Sequence, residues 1–514
     1  MLAYNAQFVL FIAILFNVLT VMVITGLLEY KGQVKKALGA TFVDKGCTID
    51  YFPNYFSSRA ITCYVITMIV ISAIFLERAL PLQFIAFGFV AVFVFFNYSN
   101  KLTMQWRKYS HQQFTKKLFG TALIIRLVYV VFIYFYYIEM TGNPHAFYAG
   151  DEWLYHEMGA LWRDSGMEEF LSQMNEYITL SDAGYCWWVA IEYKIFGVYV
   201  LPTRIIKCLL DSCTCILLYN LAERNFGEAV GRIAAVFYML LPNAWYYCGV
   251  TLKETEMVFL FILFLERSDL VFHFPKVKLK DLLLPLLVVI IMFTFRTALA
   301  AVMFAALAAA IIFSTGKQLV WWKKVLYSGV FGVWILVAVG AELAEEAQQL
   351  WAGRTDNQEV GYQWRAEVEN GNTFAKYASA SVFAPLIFTI PFATTVNVPG
   401  QENQMMMNGA NFSKNIISGF VIYALLIMLF RGDWRRYVLP IAALCGYLVV
   451  LVFSNFAHSE RFHFPALPLE MMFAAYGVSR ATNRQKHWFM VWIVLIAVIN
   501  IAWAMVKLKG RGLA

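Results

Sequence analysis

Charge is scarce in this chain. Of its 514 residues, 14% are Asp, Glu, Lys or Arg, while 61% are hydrophobic. A soluble globular protein of this length has no use for so much apolar surface, so that class is excluded. Paired cysteines are lacking too. The eight cysteines are scattered, and Cys213-Thr214-Cys215, without a second pair, reads as small-residue helix packing rather than a metal site. Cys186 and Cys248 are the only disulfide pair worth considering. There is no signal-peptide cleavage pattern, so Phe8 to Leu28 reads as a retained first span. Internal repeats and low-complexity tracts are also missing. What is present is a series of apolar runs long enough to cross ~30 Å of hydrocarbon. Aromatics, at 17%, flank these runs as interfacial belts do: Trp187-Trp188, Trp245-Tyr246-Tyr247, Trp321-Trp322.

The expected fold is an all-α polytopic membrane protein with about 14 transmembrane helices. The spans fall near 7–28, 60–76, 83–98, 119–138, 203–221, 229–247, 256–270, 282–296, 297–314, 324–342, 413–430, 437–454, 465–479 and 488–506. The net charge of +8 does not signal nucleic acid, because Lys and Arg lie mostly in short loops. They gather at Lys31/Lys35/Lys36/Lys45, Lys101/Arg107/Lys108/Lys116/Lys117, Lys276/Lys278/Lys280, Lys317/Lys323/Lys324, Arg431/Arg435/Arg436 and Arg480/Arg484/Lys486. With these spans all the clusters fall on one side, which is the cytoplasm by the positive-inside rule. Segments 139–202 and 343–412 then face outward. The tail Lys507/Lys509/Arg511 disagrees with this arrangement. Segment 184–198 is apolar but short and carries Glu192 and Lys194; it reads as an interfacial helix. The stretch from Ser381 to Phe392 is expected to dip into the interface.

Against this apolar background, Gly150-Asp151-Glu152-Trp153-Leu154-Tyr155-His156 stands out. It follows a long apolar helix and the turn Thr141-Gly142-Asn143-Pro144. Two adjacent carboxylates therefore sit where a span leaves the bilayer, and a carboxylate there is a candidate general base at the membrane surface. On a helix starting near Asp151, Asp151 lies near Tyr155 and Glu152 near His156. The plain alternative is an acidic helix N-terminus. Arg126 sits mid-span, where a charge costs roughly 2.5–3.5 kcal/mol. Asp211 is its expected partner, in a structural ion pair. Lys253 and Glu254 lie at an outer helix junction, as phosphate and sugar binders or as an ordinary charged turn. Arg296 ends a span, either near the site or snorkelling to the interface. His458-Ser459-Glu460-Arg461-Phe462-His463 is a second outer cluster. Arg461 suits a phosphate, since a guanidinium offers paired donors. The i, i+5 spacing of His458 and His463 is poor for tetrahedral zinc.

Taken in this order, these stretches resemble the polytopic GT-C glycosyltransferases, closest to the bacterial group of protein mannosyltransferases and lipid A aminoarabinose transferases. The likeness rests on the Arg126 span followed by Tyr148-Ala-Gly-Asp-Glu-Trp-Leu-Tyr-His. It continues with Ala183-Gly-Tyr and Ile195-Phe-Gly-Val-Tyr-Val-Leu-Pro-Thr-Arg204. Next come Leu218-Tyr-Asn-Leu-Ala-Glu-Arg-Asn-Phe-Gly227, Arg232-Ile-Ala-Ala, Pro242 and Glu254. Last is Arg461-Phe-His-Phe-Pro-Ala-Leu-Pro. The likeness covers roughly 118–480; its order, rather than any one motif, is specific. One departure is that the spans at 7–28, 60–76 and 83–98 precede Arg126, where the family usually has one. Another is the lack of a separate soluble C-terminal domain.

The resemblance implies a GT-C-like bundle with interfacial helices in the first large outer loop. Extra N-terminal helices (1–117) precede a catalytic core (118–342) with its acidic loop at 139–202. A large outer loop (343–412) and C-terminal helices (413–514) follow. It also implies an inverting membrane glycosyltransferase using a polyprenyl-phosphate sugar donor, with Asp151 as base and Glu152 beside it in the catalytic pair. Tyr155, His156, Lys253, Glu254, Arg296, Arg461, His458 and His463 would bind substrate. The acceptor is a glycan, lipid or protein. No cofactor is required, although a divalent cation is allowed, and the partners are membrane lipids rather than nucleic acid. The expected location is a bacterial inner membrane with the catalytic loop outside. The alternatives are a polysaccharide polymerase or ligase, which relies on arginine-rich outer loops where segment 343–412 has only Arg354 and Arg365, and a lipid flippase or transporter, which predicts inverted repeats and deep charges in several spans.

Overall fold

A computed structural model describes residues 46–165, 180–273, 279–313, 381–454 and 457–513. The expected spans at 7–28 and 324–342 lie outside the described residues, as do Lys31 to Lys45, Lys276 and Lys278, the Lys317 cluster, and segment 343–380 with Arg354 and Arg365. Among the described residues every regular element is helical. The chain runs through α1 (Asn54–Ile74), α2 (Leu82–Trp106), α3 (His111–Thr141), α4 (Gly150–Asp164) and α5 (Leu180–Phe196). It continues through α6 (Val200–Phe226), α7 (Glu228–Leu240), α8 (Pro242–Cys248), α9 (Glu254–His273), α10 (Leu279–Phe295) and α11 (Thr297–Phe313). Then come α12 (Glu402–Met406), α13 (Asn408–Arg431), α14 (Val438–Phe453), α15 (Glu460–His463), α16 (Leu467–Ser479) and α17 (Asn483–Lys509).

Among the described residues, six helices are long and apolar enough to cross a bilayer: α1, α2, α3, α6, α13 and α17. The chain is therefore an all-α integral membrane protein. Several expected spans take other forms. The run 229–247 is broken between α7 and α8, because Leu241 is extended and Pro242 has no N–H to continue the ladder. The run 256–270 is part of α9, which is buried by protein along nearly all its length. It tolerates Glu256, Glu266 and Asp269 because each meets a cation on α6. The expected interfacial segment after Ser381 instead packs inside, with Ile390, Phe392 and Ala393 buried. Lys414 and Asn415 of α13 hold its carbonyls at Ile390, Thr389 and Pro391. The segment expected to be interfacial at 184–198 forms α5, which packs on α4 and α10 and is not among the bilayer-length helices. Cys186 and Cys248 are both free.

Helix ends follow local chemistry. Ser110 and Gln113 form a reciprocal cap at the start of α3, and Gly142, at φ 77°, closes its other end. In α2 the ladder widens at Val94–Tyr98, and the Ser57 hydroxyl bonds the carbonyl of Phe96 there at 2.8 Å. α2 and α13 touch through Gly88 and Gly409, where an added Cβ on Gly409 would come within 2.2 Å of the Gly88 carbonyl oxygen.

The centre of the bundle is α6, with 83% of its apolar stretch buried, against 28% for α3 and 33% for α1 and α17. The last three present apolar residues such as Ile124, Phe135, Ile69 and Val491 outward, toward lipid. Arg126 of α3 is fully buried and donates through Nε to Asp211 of α6; Tyr238 of α7 donates to the same carboxylate. Among the described residues, the basic loops around 101–117 and 480–486 lie at one end. There Arg232 reaches the carbonyls of Trp106 and Tyr109, and Tyr55 reaches that of Lys486. At the opposite end Lys507 binds Thr394 and Gln401. Its charge serves a loop contact, which accounts for a basic tail on the side away from the other clusters.

Arg126→Leu is expected to strand the Asp211 carboxylate and to destabilise the protein by about 3–5 kcal/mol. The double change Arg126→Leu with Asp211→Leu should recover most of that loss. Thermal unfolding in detergent distinguishes the cases; equal loss in single and double variants would refute a paired-charge role.

Candidate active site

The site sits where the carboxyl end of α3 hands over to α4. The chain turns through Thr141 to Ala149, with the N–H of His145 held by Asn143 at 3.0 Å. Tyr148 takes a left-handed conformation, φ 47°, and α4 then starts at Gly150. Successive residues on a helix point about 100° apart, so Asp151 and Glu152 have opposite fates. Asp151 is exposed; Glu152 is buried.

Glu152 is bound on every side. It accepts from Arg204 of α6 at 2.8 Å, from the Ala146 N–H at 2.9 Å and from the Thr251 N–H, with His145 at 3.7 Å. Burial alone would raise its carboxyl; Arg204 and His145 outweigh burial and hold it well below the usual carboxylate range. It ties the 141–149 turn to the 249–253 loop. That geometry suits holding backbone in place, and its oxygens have little left to offer a substrate.

Asp151 faces a cleft of about 400 Å³. Arg461, from α15, reaches across and donates through Nη1 to Asp151 and through Nε to Glu254; its Nη2 lies 3.5 Å from the Tyr155 hydroxyl. Tyr155 donates to Asp182 at 2.7 Å. Asp182 in turn pairs with Lys253, whose ammonium also meets the carbonyls of Ser181 at 2.9 Å and Phe295 at 2.6 Å. Its three donors are thus engaged within the protein. Burial, with Arg296 nearby, pushes Lys253 down to about 8. Arg296 stacks on Phe462 at 4.2 Å. The cluster balances: Asp151, Glu254 and Asp182 against Arg461, Lys253 and Arg296.

The other candidates are placed differently. His156 turns to Tyr193, Nδ1 to hydroxyl 2.7 Å. His458 stacks on Trp503 at 4.2 Å, and Nε2 of His463 meets the Ala457 carbonyl at 2.7 Å. Neither His458 nor His463 lines the cleft. Among the described residues there is no group of three or more His, Cys, Asp or Glu with metal-holding geometry.

Sequence reasoning missed Asp182 and Asn403, and marked Glu460 only as a member of the 458–463 cluster. Asp182 directly precedes the marked Ala183-Gly-Tyr stretch, so its signal was one residue away. Glu460 lines the cleft and accepts from Asn411 at 3.2 Å, and burial pushes its carboxyl up. Asn403 lines the cleft and anchors on the Phe147 carbonyl at 2.5 Å; no local pattern marked it.

An apolar groove of about 420 Å³ adjoins the cleft, lined by Val90, Val94, Ile124, Val128, Phe132 and Trp245 among others. Tyr246 and Met407 line both spaces.

Residues 184–341 match the dolichyl-phosphate-mannose-protein mannosyltransferase family. Residues 379–514 match the Alg9-like mannosyltransferase family. No curated protein and no solved structure gives a significant match.

Glu152→Gln should weaken the Arg204 pair and cost about 3–5 kcal/mol at neutral pH. The folded carboxyl titrates below its ordinary value of 4.5, so its contribution is complete above that value and fades as pH falls toward the folded one. The gap in melting temperature between parent and variant is expected to be constant from neutral pH down to about 5 and to close in stronger acid. A gap that widened in acid would contradict this role.

Proposed function

Because the chain is a membrane glycosyltransferase of the GT-C type, we propose that its cleft moves a sugar from a polyprenyl-phosphate donor to an acceptor hydroxyl, with Asp151 as general base. The observation that carries this reading is the Arg461 guanidinium, shared between an exposed carboxylate and a buried one beside an apolar groove. A family named for dolichyl-phosphate-mannose-protein mannosyl transfer supports a lipid-phosphate donor. The prenyl chain lies in the groove, and its phosphate meets Arg461 past Tyr246 and Met407.

The charge balance gives binding a consequence. A donor phosphate competes with Asp151 for Nη1 of Arg461, while Glu254 keeps Nε in place. Donor binding thus frees the Asp151 carboxylate at the moment it is needed. The acceptor hydroxyl oxygen then attacks the anomeric carbon from the face opposite the phosphate. The new C–O bond forms as the bond to the phosphate oxygen breaks, its electron pair leaves with the polyprenyl phosphate, and the hydroxyl proton passes to Asp151. Arg461 stabilises the charge growing on the leaving phosphate. Configuration at the anomeric carbon inverts. Glu152 supports the base from behind rather than sharing its role, and Tyr155 orients Arg461. The distribution of basic loops supports a reaction on the outer side of the membrane, and the family resemblance suggests a bacterial inner membrane. No step requires a metal.

The test is sugar release from a panel of polyprenyl-phosphate sugars in membranes or detergent. Asp151→Asn is expected to lose about 10²–10⁴-fold in turnover with its melting temperature kept. Arg461→Ala should lose at least as much, and EDTA should leave the parent unchanged. Full activity in Asp151→Asn would overturn the assignment.

A further inference from the structure

A second cavity, of about 860 Å³, stands on the other side of the 146–150 turn. Ala146, Tyr148, Ala149 and Gly150 line both it and the catalytic cleft. Its remaining walls come from the first turn of α2, the end of α3, Trp153 of α4, Asn397 and Glu402. It lies outside the apolar groove assigned to the donor, and Gly150, the residue before Asp151, is part of its wall.

The chemistry of its walls is selective. Trp153 is backed by the His145 ring at 4.1 Å and still 39% exposed, so it offers a fixed aromatic surface. Tyr148 is 78% exposed on a backbone that L-residues rarely adopt. A large ring held out in that conformation has no packing reason to be there. Gln83 and Asn397 add amides, while the Asn143 amide is taken up within its own turn by the Thr141 carbonyl and the His145 N–H. Glu402 lines the cavity and accepts from the Gly400 N–H at 3.4 Å through Oε1. Among the described residues, no Lys or Arg lines the cavity. A phosphate-bearing acceptor would find no counter-charge there, and a hydrocarbon chain would displace water from Glu402 and from the Gln83 and Asn397 amides without replacing its hydrogen bonds.

We infer that this cavity holds the acceptor, and that the acceptor is a neutral saccharide: its C–H faces stack on Trp153 and Tyr148 and its hydroxyls donate to Glu402 and the amides. This rests on the transfer reading above for its place in the reaction. Donor and acceptor then reach Asp151 through different walls of one cleft, with the acceptor hydroxyl entering over the 146–150 turn.

The test reads binding without turnover. Saturation-transfer NMR is run on the purified full-length chain in detergent with maltotriose, mannotriose and chitotriose. A Ser/Thr-rich peptide and glycerol phosphate form the comparison arms. At least one trisaccharide is expected to take up saturation, with its Kd raised at least about tenfold in Glu402→Gln and in Trp153→Ala. Glu402→Gln keeps shape and should keep the parent melting temperature, so it decides the case if Trp153→Ala folds poorly. Any of three results overturns the inference: no trisaccharide signal in the parent, an unchanged Kd in Glu402→Gln, or preferential uptake by the peptide or glycerol phosphate. Loss of this inference leaves the donor assay untouched. Failure of the donor assay with saccharide binding intact removes the transfer reading and leaves the site.

Discussion

A charge inside an apolar bundle survives only beside its opposite, and α6 is where this chain applies that constraint. Arg204 meets Glu152 of α4, Lys207 meets Glu256 of α9, Asp211 meets Arg126 of α3, and Arg224 meets Glu266 and Asp269 of α9. Each pair joins a different height of the same central helix to a neighbour. Apolar side chains pack against one another in many registers, and lipid competes equally well for their surfaces. A buried ion pair tolerates one register. The neighbours of α6 are therefore fixed in rotation and height, and the cleft inherits that fixity. α13 and α16 repeat the device with Lys414 and Glu470, at 3.8 Å.

The route from this constraint to the cleft is short. Arg204 holds Glu152, and Glu152 holds the N–H groups of Ala146 and Thr251. Lys207 holds the carbonyl of Leu252. The residues on either side of these anchors, Asp151 and Glu254, are the two carboxylates that Arg461 bridges. The spacing between an exposed acid and a buried one is thus set by backbone atoms tied to the most buried of the six bilayer-length helices among the described residues. Pre-organisation of this kind lets a single guanidinium serve both, and lets one contact be exchanged for a phosphate without moving the other.

How much of this could be read beforehand depended on whether the information was local. Helix existence was legible in long runs such as those of α3 and α17, because apolar composition over about 20 residues has few other meanings. α7, α9 and α16 were harder: they look like spans in composition, but α7 and α16 are short and α9 carries several charges, so they are not among the six bilayer-length helices. Asp151 was visible as a charge at a helix start. That its neighbour Glu152 points the opposite way depended on the register of α4, which the left-handed Tyr148 sets and no periodicity reveals. Lys253 and His463 looked available for substrate because their partners, Asp182 with the Phe295 carbonyl and the Ala457 carbonyl, are fixed by the fold rather than by spacing. Asp182 itself was hidden, since an isolated acid gains meaning only beside the tyrosine and lysine that hold it.

The same physics explains why an exposed carboxylate is compatible with so apolar a protein. A carboxylate at the bilayer surface would be free to bind any passing cation, and a buried one would resist ionising. Asp151 takes a middle course: its carboxylate is solvated on one side and paired with Arg461 on the other. On the proposed reading, the donor phosphate is the natural competitor for that pairing, because a guanidinium pairs with phosphate oxygens as it does with a carboxylate. A neutral saccharide arriving from the neighbouring cavity has no such claim on Arg461 and cannot free the base by itself. Ordered loading, with donor first and acceptor second, then needs no moving lid. It follows from charge alone, since only the anionic substrate can open the ion pair that guards the base.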